Sequence, residues 1–405
     1  MLLGAACCAP AAEAQVTSDA LARGAQSRQI EIHLQGRVEH DTNVARVADG
    51  QSPPAGVAKS DTIFAPTADA SIVLPFGRQT AFLSGRASYL FHDKNKLLDH
   101  SAFNLNGGVG GRIGPCALTL GGGYVRGRSE LDNQTLVARV QNINEVRQVS
   151  TSASCAQPGG IGVFASVGRS WGDNSLASLQ SSNSETDTAG GGISYARPAL
   201  GAFTLGGSYA KTVYPDRITL TGERDGFESI GVSFSAEREL GARIQGAVTV
   251  GFSHVEPLQP PPQIPGFPLP RTEFEGLTYA ADVRYRASSR LSLRAGLTKN
   301  ISPTLIEGQS FEIQESYNVG ATYQLGSRIQ LGLTGRQRES KTRGDVPESL
   351  VVSDARTRTA VATLRYRQTR SLSFLVSGHL EKRTADDDVF NYSNERVSFV
   401  VDYRF

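Results

Sequence analysis

Gly168-Arg169-Ser170-Trp171-Gly172 has the Gly-x-Ser-x-Gly spacing that presents a serine nucleophile for acyl transfer. That chemistry requires a sharp strand-to-helix turn at the serine. The residues after Gly172 carry no helical period, so the string reads as chance. His379 has Ser377 and Glu381 two places away on either side, but alternate residues of one strand form a same-face ladder and not a triad. The six histidines, His33, His40, His92, His100, His254 and His379, are scattered. The chain has no dinucleotide glycine fingerprint, phosphate-binding loop or His-Glu-x-x-His motif. Neither a catalytic group, a cofactor nor a metal is therefore expected. An enzyme acting on lipids is the catalytic rival, which an assay against phospholipid or lipid A would expose.

What remains is electrostatic chemistry. Lys and Arg total 41 against 39 Asp and Glu, a net charge of +2, so no global basic field points to a nucleic acid. Charge must act locally. Arg112, Arg284, Arg286, Arg294, Arg336, Arg338, Arg365, Arg367 and Arg404, with Asp282 and Asp402, sit at alternate positions among apolar residues. Rings of arginine on a pore wall select anions. The blander reading is that these arginines pair with carboxylates on neighbouring strands and only stiffen the wall.

Those residues need elements to hold them, and the period of the chain names the elements. From about residue 28, apolar and polar residues alternate over long stretches separated by breaks, the period-two signature of strands. Val397, Phe399, Val401, Tyr403 and Phe405 form one face of the last stretch, opposite Arg396, Ser398, Asp402 and Arg404, with Val400 the exception. About 18 such segments follow one another, from 29–40 and 62–74 to 371–384 and 392–405. They are longer than the roughly 5 or 6 residues of globular strands and match the roughly 9 to 11 needed to cross a bilayer on a tilt. Tight breaks such as Gly114-Pro115 and Leu325-Gly326-Ser327 alternate with long polar ones such as 41–61 and 256–273. That parity is the asymmetry of short periplasmic turns and long external loops.

The expected fold is therefore all-β, a transmembrane antiparallel up-and-down barrel of about 18 strands spanning 28–405. Apolar side chains should face lipid and charged ones a wet lumen, because a dry core could not hold so many charges. With a periplasmic N-terminus, Arg112, Arg284, Arg286, Arg294, Arg365, Arg367 and Arg404 should gather near the periplasmic mouth, and Arg336 and Arg338 toward the outside. Cys116 and Cys155 fall at the lower rim of adjacent strands on the outward face, a spacing that suits a disulfide; two free thiols are the alternative. Pro260 to Pro270 lies in an external loop, read as a stiff exposed segment, with folding into the lumen or a contact role as alternatives.

Residues 1–14 are small and apolar and end Ala12-Glu13-Ala14, the form of a secretory cleavage site. The basic stretch such signals carry is missing, so it is expected upstream of the given start. Residues 15–27 would then be a short periplasmic segment.

At the other end, Tyr403-Arg404-Phe405 resembles the C-terminal signal by which outer-membrane barrels are handed to the barrel-assembly machinery, with Tyr403 and Phe405 as its aromatic pair. More narrowly, Asp41-Thr42-Asn43-Val44, then Ser60-Asp61-Thr62-Ile63 and Phe76-Gly77-Arg78, resemble the opening of the putative β-barrel porin 2 family. His40 stands where that family commonly has Tyr. The resemblance implies a bacterial outer-membrane channel for hydrophilic solutes, associated with exopolysaccharide production and export. Its implied partners are outer-membrane lipid, acidic polysaccharide and the export apparatus. A non-conducting structural or adhesion barrel is the alternative.

Overall fold

Alternation dictates long strands here, and the hydrogen-bonding groups of those strands dictate closure: in hydrocarbon every backbone N–H and C=O must find a partner within the protein. A computed structural model of the protein describes residues 28–53, 55–129, 142–156, 160–218, 222–259, 263–264, 267–268, 273–303, 309–344 and 354–405. The segments read as signal (1–14) and periplasmic lead (15–27) lie outside the described residues, as does most of the proline tract. Within that tract, Gln263–Ile264 and Phe267–Pro268 form a two-residue ladder.

The barrel strands are β1 (Gln29–Asp41), β2 (Asp61–Phe76), β3 (Gln79–His92), β4 (His100–Ile113), β5 (Cys116–Arg128) and β6 (Ile143–Ala156). They continue as β7 (Ile161–Asn174), β8 (Ser184–Arg197), β9 (Gly201–Ile218), β10 (Arg224–Leu240), β11 (Ile244–Pro257) and β12 (Phe274–Arg286). The last are β13 (Leu291–Pro303), β14 (Gln309–Leu325), β15 (Ile329–Gly344), β16 (Asp354–Arg367), β17 (Leu372–Ala385) and β18 (Tyr392–Arg404). Each pairs antiparallel with its sequence neighbours, and β1 pairs with β18, so one 18-stranded sheet closes on itself. No helix among the described residues is long and apolar enough to cross a membrane; the strands do so.

The two faces differ as the alternation predicts. Ile30, Ile32 and Leu34 of β1 and Ile230, Val232 and Phe234 of β10 are among the exposed large apolar residues of the outer wall. Glu31, His33, Gln35 and Arg37 share the opposite, inner face of β1. Gly77 and Gly241 sit in tight turns at φ 63° for each, a conformation that side chains with a Cβ resist. Glycine in the wall has a different reason: the Phe82 ring lies across Gly108 on the inner face, where a Cβ would fall 2.9 Å from it.

Among the described residues there is no central core, and the buried apolar side chains form two clusters at the external ends of the strands. Tyr214, Phe227, Val255, Ile301 and Phe311 make one, and Val44, Ile63 and Leu98 the other.

Candidate functional site

Strand register puts the periplasmic arginines on the inner wall, spread over β4, β12, β13, β16 and β18. Arg284 stands directly opposite Arg294 on the next strand, and Arg365 opposite Gln330. Two of the seven are ion-paired: Arg294 Nε lies 2.8 Å from Asp282 Oδ2, and Arg404 lies 2.6 Å from Glu31 Oε1. Arg112, Arg284, Arg286, Arg365 and Arg367 are exposed on that wall and have no carboxylate partner among the described residues. Like charges face each other at low cost only where water and counter-ions screen them. Asp402, the nearby acid, instead accepts from Ser373 Oγ at 3.3 Å and faces His33 Nδ1 at 3.4 Å.

The external half of the lumen wall is built differently, with its arginines ion-paired or hydrogen-bonded. Arg37 pairs with Glu39 at 3.1 Å, Arg338 reaches Glu312 at 3.9 Å, and Arg336 Nε donates to Ser316 Oγ at 3.2 Å. Here the first external loop folds against the inner wall. Asn43 is its pivot: the backbone N–H donates to Asp41 Oδ1 (2.9 Å) and Asn394 Oδ1 (3.0 Å), while Nδ2 donates to the carbonyls of Val47 (2.8 Å) and Ser393 (3.1 Å). Arg46 then bridges the loop to the barrel, with Asp41 Oδ2 at 3.2 Å and Glu381 Oε1 at 3.4 Å. Tyr392 Oη donates to the same Glu381 oxygen at 2.9 Å. Because Asn394 and Ser393 belong to β18, the latch lies across the seam where first and last strands meet.

A second acid pins the neighbouring loop. Asp61 is fully buried and accepts from the backbone N–H of Thr62, Lys94 and Asn95 at 2.7, 3.0 and 2.9 Å, and from Asn95 Nδ2 at 2.9 Å. Asn95 Nδ2 also donates to the carbonyl of Ala58 at 3.0 Å. Asp41, Asn43 and Asp61, singled out above only as family-like spacing, are thus the residues that hold two external loops in place.

A family model described as putative beta-barrel porin 2 matches residues 29–405. The chain belongs to that family. Among solved structures it is similar to OccK2 (OpdF) of Pseudomonas aeruginosa in complex with glucuronate, at 11% identity and TM-score 0.50, covering 94% of this chain and 98% of that one. It is also similar to the FrpB iron transporter of Neisseria meningitidis, at 10% identity and TM-score 0.50; 91% of this chain is covered and 63% of that one. At such identities the likeness is one of fold. No curated protein matches by sequence. Family and fold together place this porin-type barrel in the bacterial outer membrane.

The external ends of this porin-type barrel correct one expectation, that charge would be confined to the inner face. Arg126, Glu145, Arg169, Asp187, Lys211 and Glu228 share the outward face of their strands with the apolar residues below them. They form ion pairs across strands, among them Arg126 with Glu145 at 3.5 Å, Arg169 with Glu185 at 2.7 Å and Lys211 with Glu228 at 3.2 Å. The reason is length. Strands of 13 to 18 residues outrun the roughly 9 to 11 that hydrocarbon requires, so their ends stand among lipid headgroups and water.

Other chemistry-bearing residues are placed plainly. Cys116 and Cys155 are direct register partners joined by a disulfide, with Cα atoms 4.0 Å apart. Ser170 lies within β7, not at a turn. His379 Nε2 lies 3.3 Å from Glu381 Oε2 and 2.5 Å from an Arg396 nitrogen, while Ser377 Oγ bonds Ser398 Oγ at 2.7 Å instead of turning to the imidazole. The described residues contain no cluster of acids, histidines and cysteines able to hold a metal.

Proposed function

We propose that this barrel passes hydrophilic anions across the outer membrane, entering from the periplasmic side, with acidic exopolysaccharide in transit as the substrate class that the family resemblance suggests. The observation that carries this reading is the asymmetry of the lumen wall. Arg112, Arg284, Arg286, Arg365 and Arg367 have no carboxylate partner among the described residues at the periplasmic end, whereas external-end charges such as Arg37 are paired. Uncompensated cations lining a narrow aqueous path raise the local anion concentration and lower the barrier to anion entry. Lipid around the wall supplies the solvent, and Tyr403 with Phe405 is the segment offered to the assembly machinery.

The test is the reversal potential of refolded barrel in a planar bilayer under a KCl gradient. Chloride preference is expected, with glucuronate, the ligand present in the OccK2 complex, as a second anion. Cation preference would end the proposal. The buried first loop favours a second reading, a structural barrel that does not conduct. Absence of unitary conductance steps in inserted protein would select it.

A further inference from the structure

The outer wall carries a feature the channel reading does not use. On β14 to β17 the lipid-facing side chains shrink to Ala321, Gly335, Ala360, Ala362 and Gly378, and larger neighbours such as Val319, Leu380 and, on β18, Val397 stand around them. The result is an apolar groove of about 680 Å³, open along the wall. Directly above Ala360 and Leu380, one side-chain row toward the exterior and so about 7 Å higher, Arg358 and Lys382 are register partners on the same outward face. Two cations placed opposite each other repel unless an anion lies between them.

Elsewhere on this outward belt several cations are answered by carboxylates on neighbouring strands. Arg126 has Glu145, Lys211 has Glu228 and, on the same strand as Arg358, Arg356 has Glu339 at 2.8 Å. Arg358 reaches only the neutral Gln337, donating from Nε to Oε1 at 3.0 Å. Neither Arg358 nor Lys382 has a carboxylate at ion-pair distance among the described residues, and Glu395 on the groove's rim pairs with neither. Both cations are exposed.

We propose that this groove and its paired cations form a binding site for one phosphorylated acyl lipid of the outer leaflet, the phosphate held between Arg358 and Lys382 and an acyl chain lying in the groove below. The height is right: the cations stand where the outward face changes from apolar to charged, the level of headgroups. The chemistry is complementary at both ends. A free phosphate would use only the cations and a neutral lipid only the groove, whereas the two adjoin on one face.

Native mass spectrometry of the refolded full chain in detergent, titrated with diphosphoryl lipid A, tests the site. One retained lipid is expected, with lipid A stripped of its phosphates failing to bind. Arg358→Ala combined with Lys382→Ala should weaken retention at least about tenfold, the worth of one charge-assisted hydrogen bond. Gly378→Leu should do the same by filling the groove, since a Cβ there meets nothing within 4 Å and the barrel has room for it. Arg126→Ala, on the opposite part of the belt, should leave retention unchanged. Heat-dependent gel mobility shows that each variant is folded, and Ala362→Leu replaces Gly378→Leu if the latter is not. Undiminished binding by the double variant overturns the proposal. So does displacement of the lipid by inorganic phosphate alone, or equal binding of the dephosphorylated lipid.

Discussion

Arg46 holds the first external loop with a side chain only 4% exposed, against an Asp41 side chain 3% exposed. Burial alone would pull its guanidinium down, but the Asp41 and Glu381 carboxylates outweigh that, and its pKa lies above the ordinary arginine value. Removing one member of such a buried pair strands the other without a partner. Arg46→Ala is therefore expected to cost about 3 kcal/mol, read as a lower urea midpoint of the refolded barrel in detergent. The backbone refines the prediction. Arg46 is the one non-glycine among the described residues with positive φ, 53°, so Arg46→Gly removes the same ion pair while easing the left-handed turn. The glycine variant should unfold about 1 kcal/mol later than the alanine one. Equal midpoints for the two would show that the turn carries no strain.

At the scale of strands, the disulfide links β5 and β6 across a sequence separation of 39. Closing a loop of that size in the unfolded chain is worth about 4 kcal/mol. Cys116→Ser should thus fold into the same barrel, because the hydrogen-bonded ladder between these strands does not need the crosslink, and lose thermal stability comparable to reducing the native protein. A variant that matched the oxidised protein in stability would refute this.

Strand positions were legible from alternation because side-chain period is a local property of the backbone. The ends were less so. The segment read as 201–214 runs to Ile218, and the one read as 328–340 runs to Gly344, since polar outward residues at the external rim break the apolar row and read as loop. The ion-paired belt of Arg126, Glu145, Arg169 and Lys211 and the buried cluster around Phe227 and Phe311 are contacts between strands, which a period counted along one strand does not specify. The arginine rows were visible because a two-residue count fixes which face a side chain takes.

For the whole molecule, the charge asymmetry between the two mouths makes a quantitative demand. Arg284→Glu, Arg365→Glu and Arg367→Glu together should shift the reversal potential toward cation preference. The shift should shrink in 1 M KCl, where the screening length falls to about 3 Å from about 10 Å at 0.1 M. A reversal potential indifferent to the three substitutions would mean that the periplasmic arginines do not set selectivity.

The sequence by itself determined the strand number, the inward and outward faces, the alternation of turns and loops, and the family. The first three follow from period two and from the absence of any hydrocarbon-soluble alternative to a closed sheet, and the family from its resemblance at Asp41-Thr42-Asn43-Val44 and Ser60-Asp61-Thr62-Ile63. Only the tertiary structure decided which arginines have partners, that Asp41, Asn43 and Arg46 tie the first loop across the β1–β18 seam, and that small residues on four strands align into one groove. Those facts depend on register between strands and on where loops return, and residues such as Asn43 and Asn394, 351 positions apart, meet only once the barrel has closed.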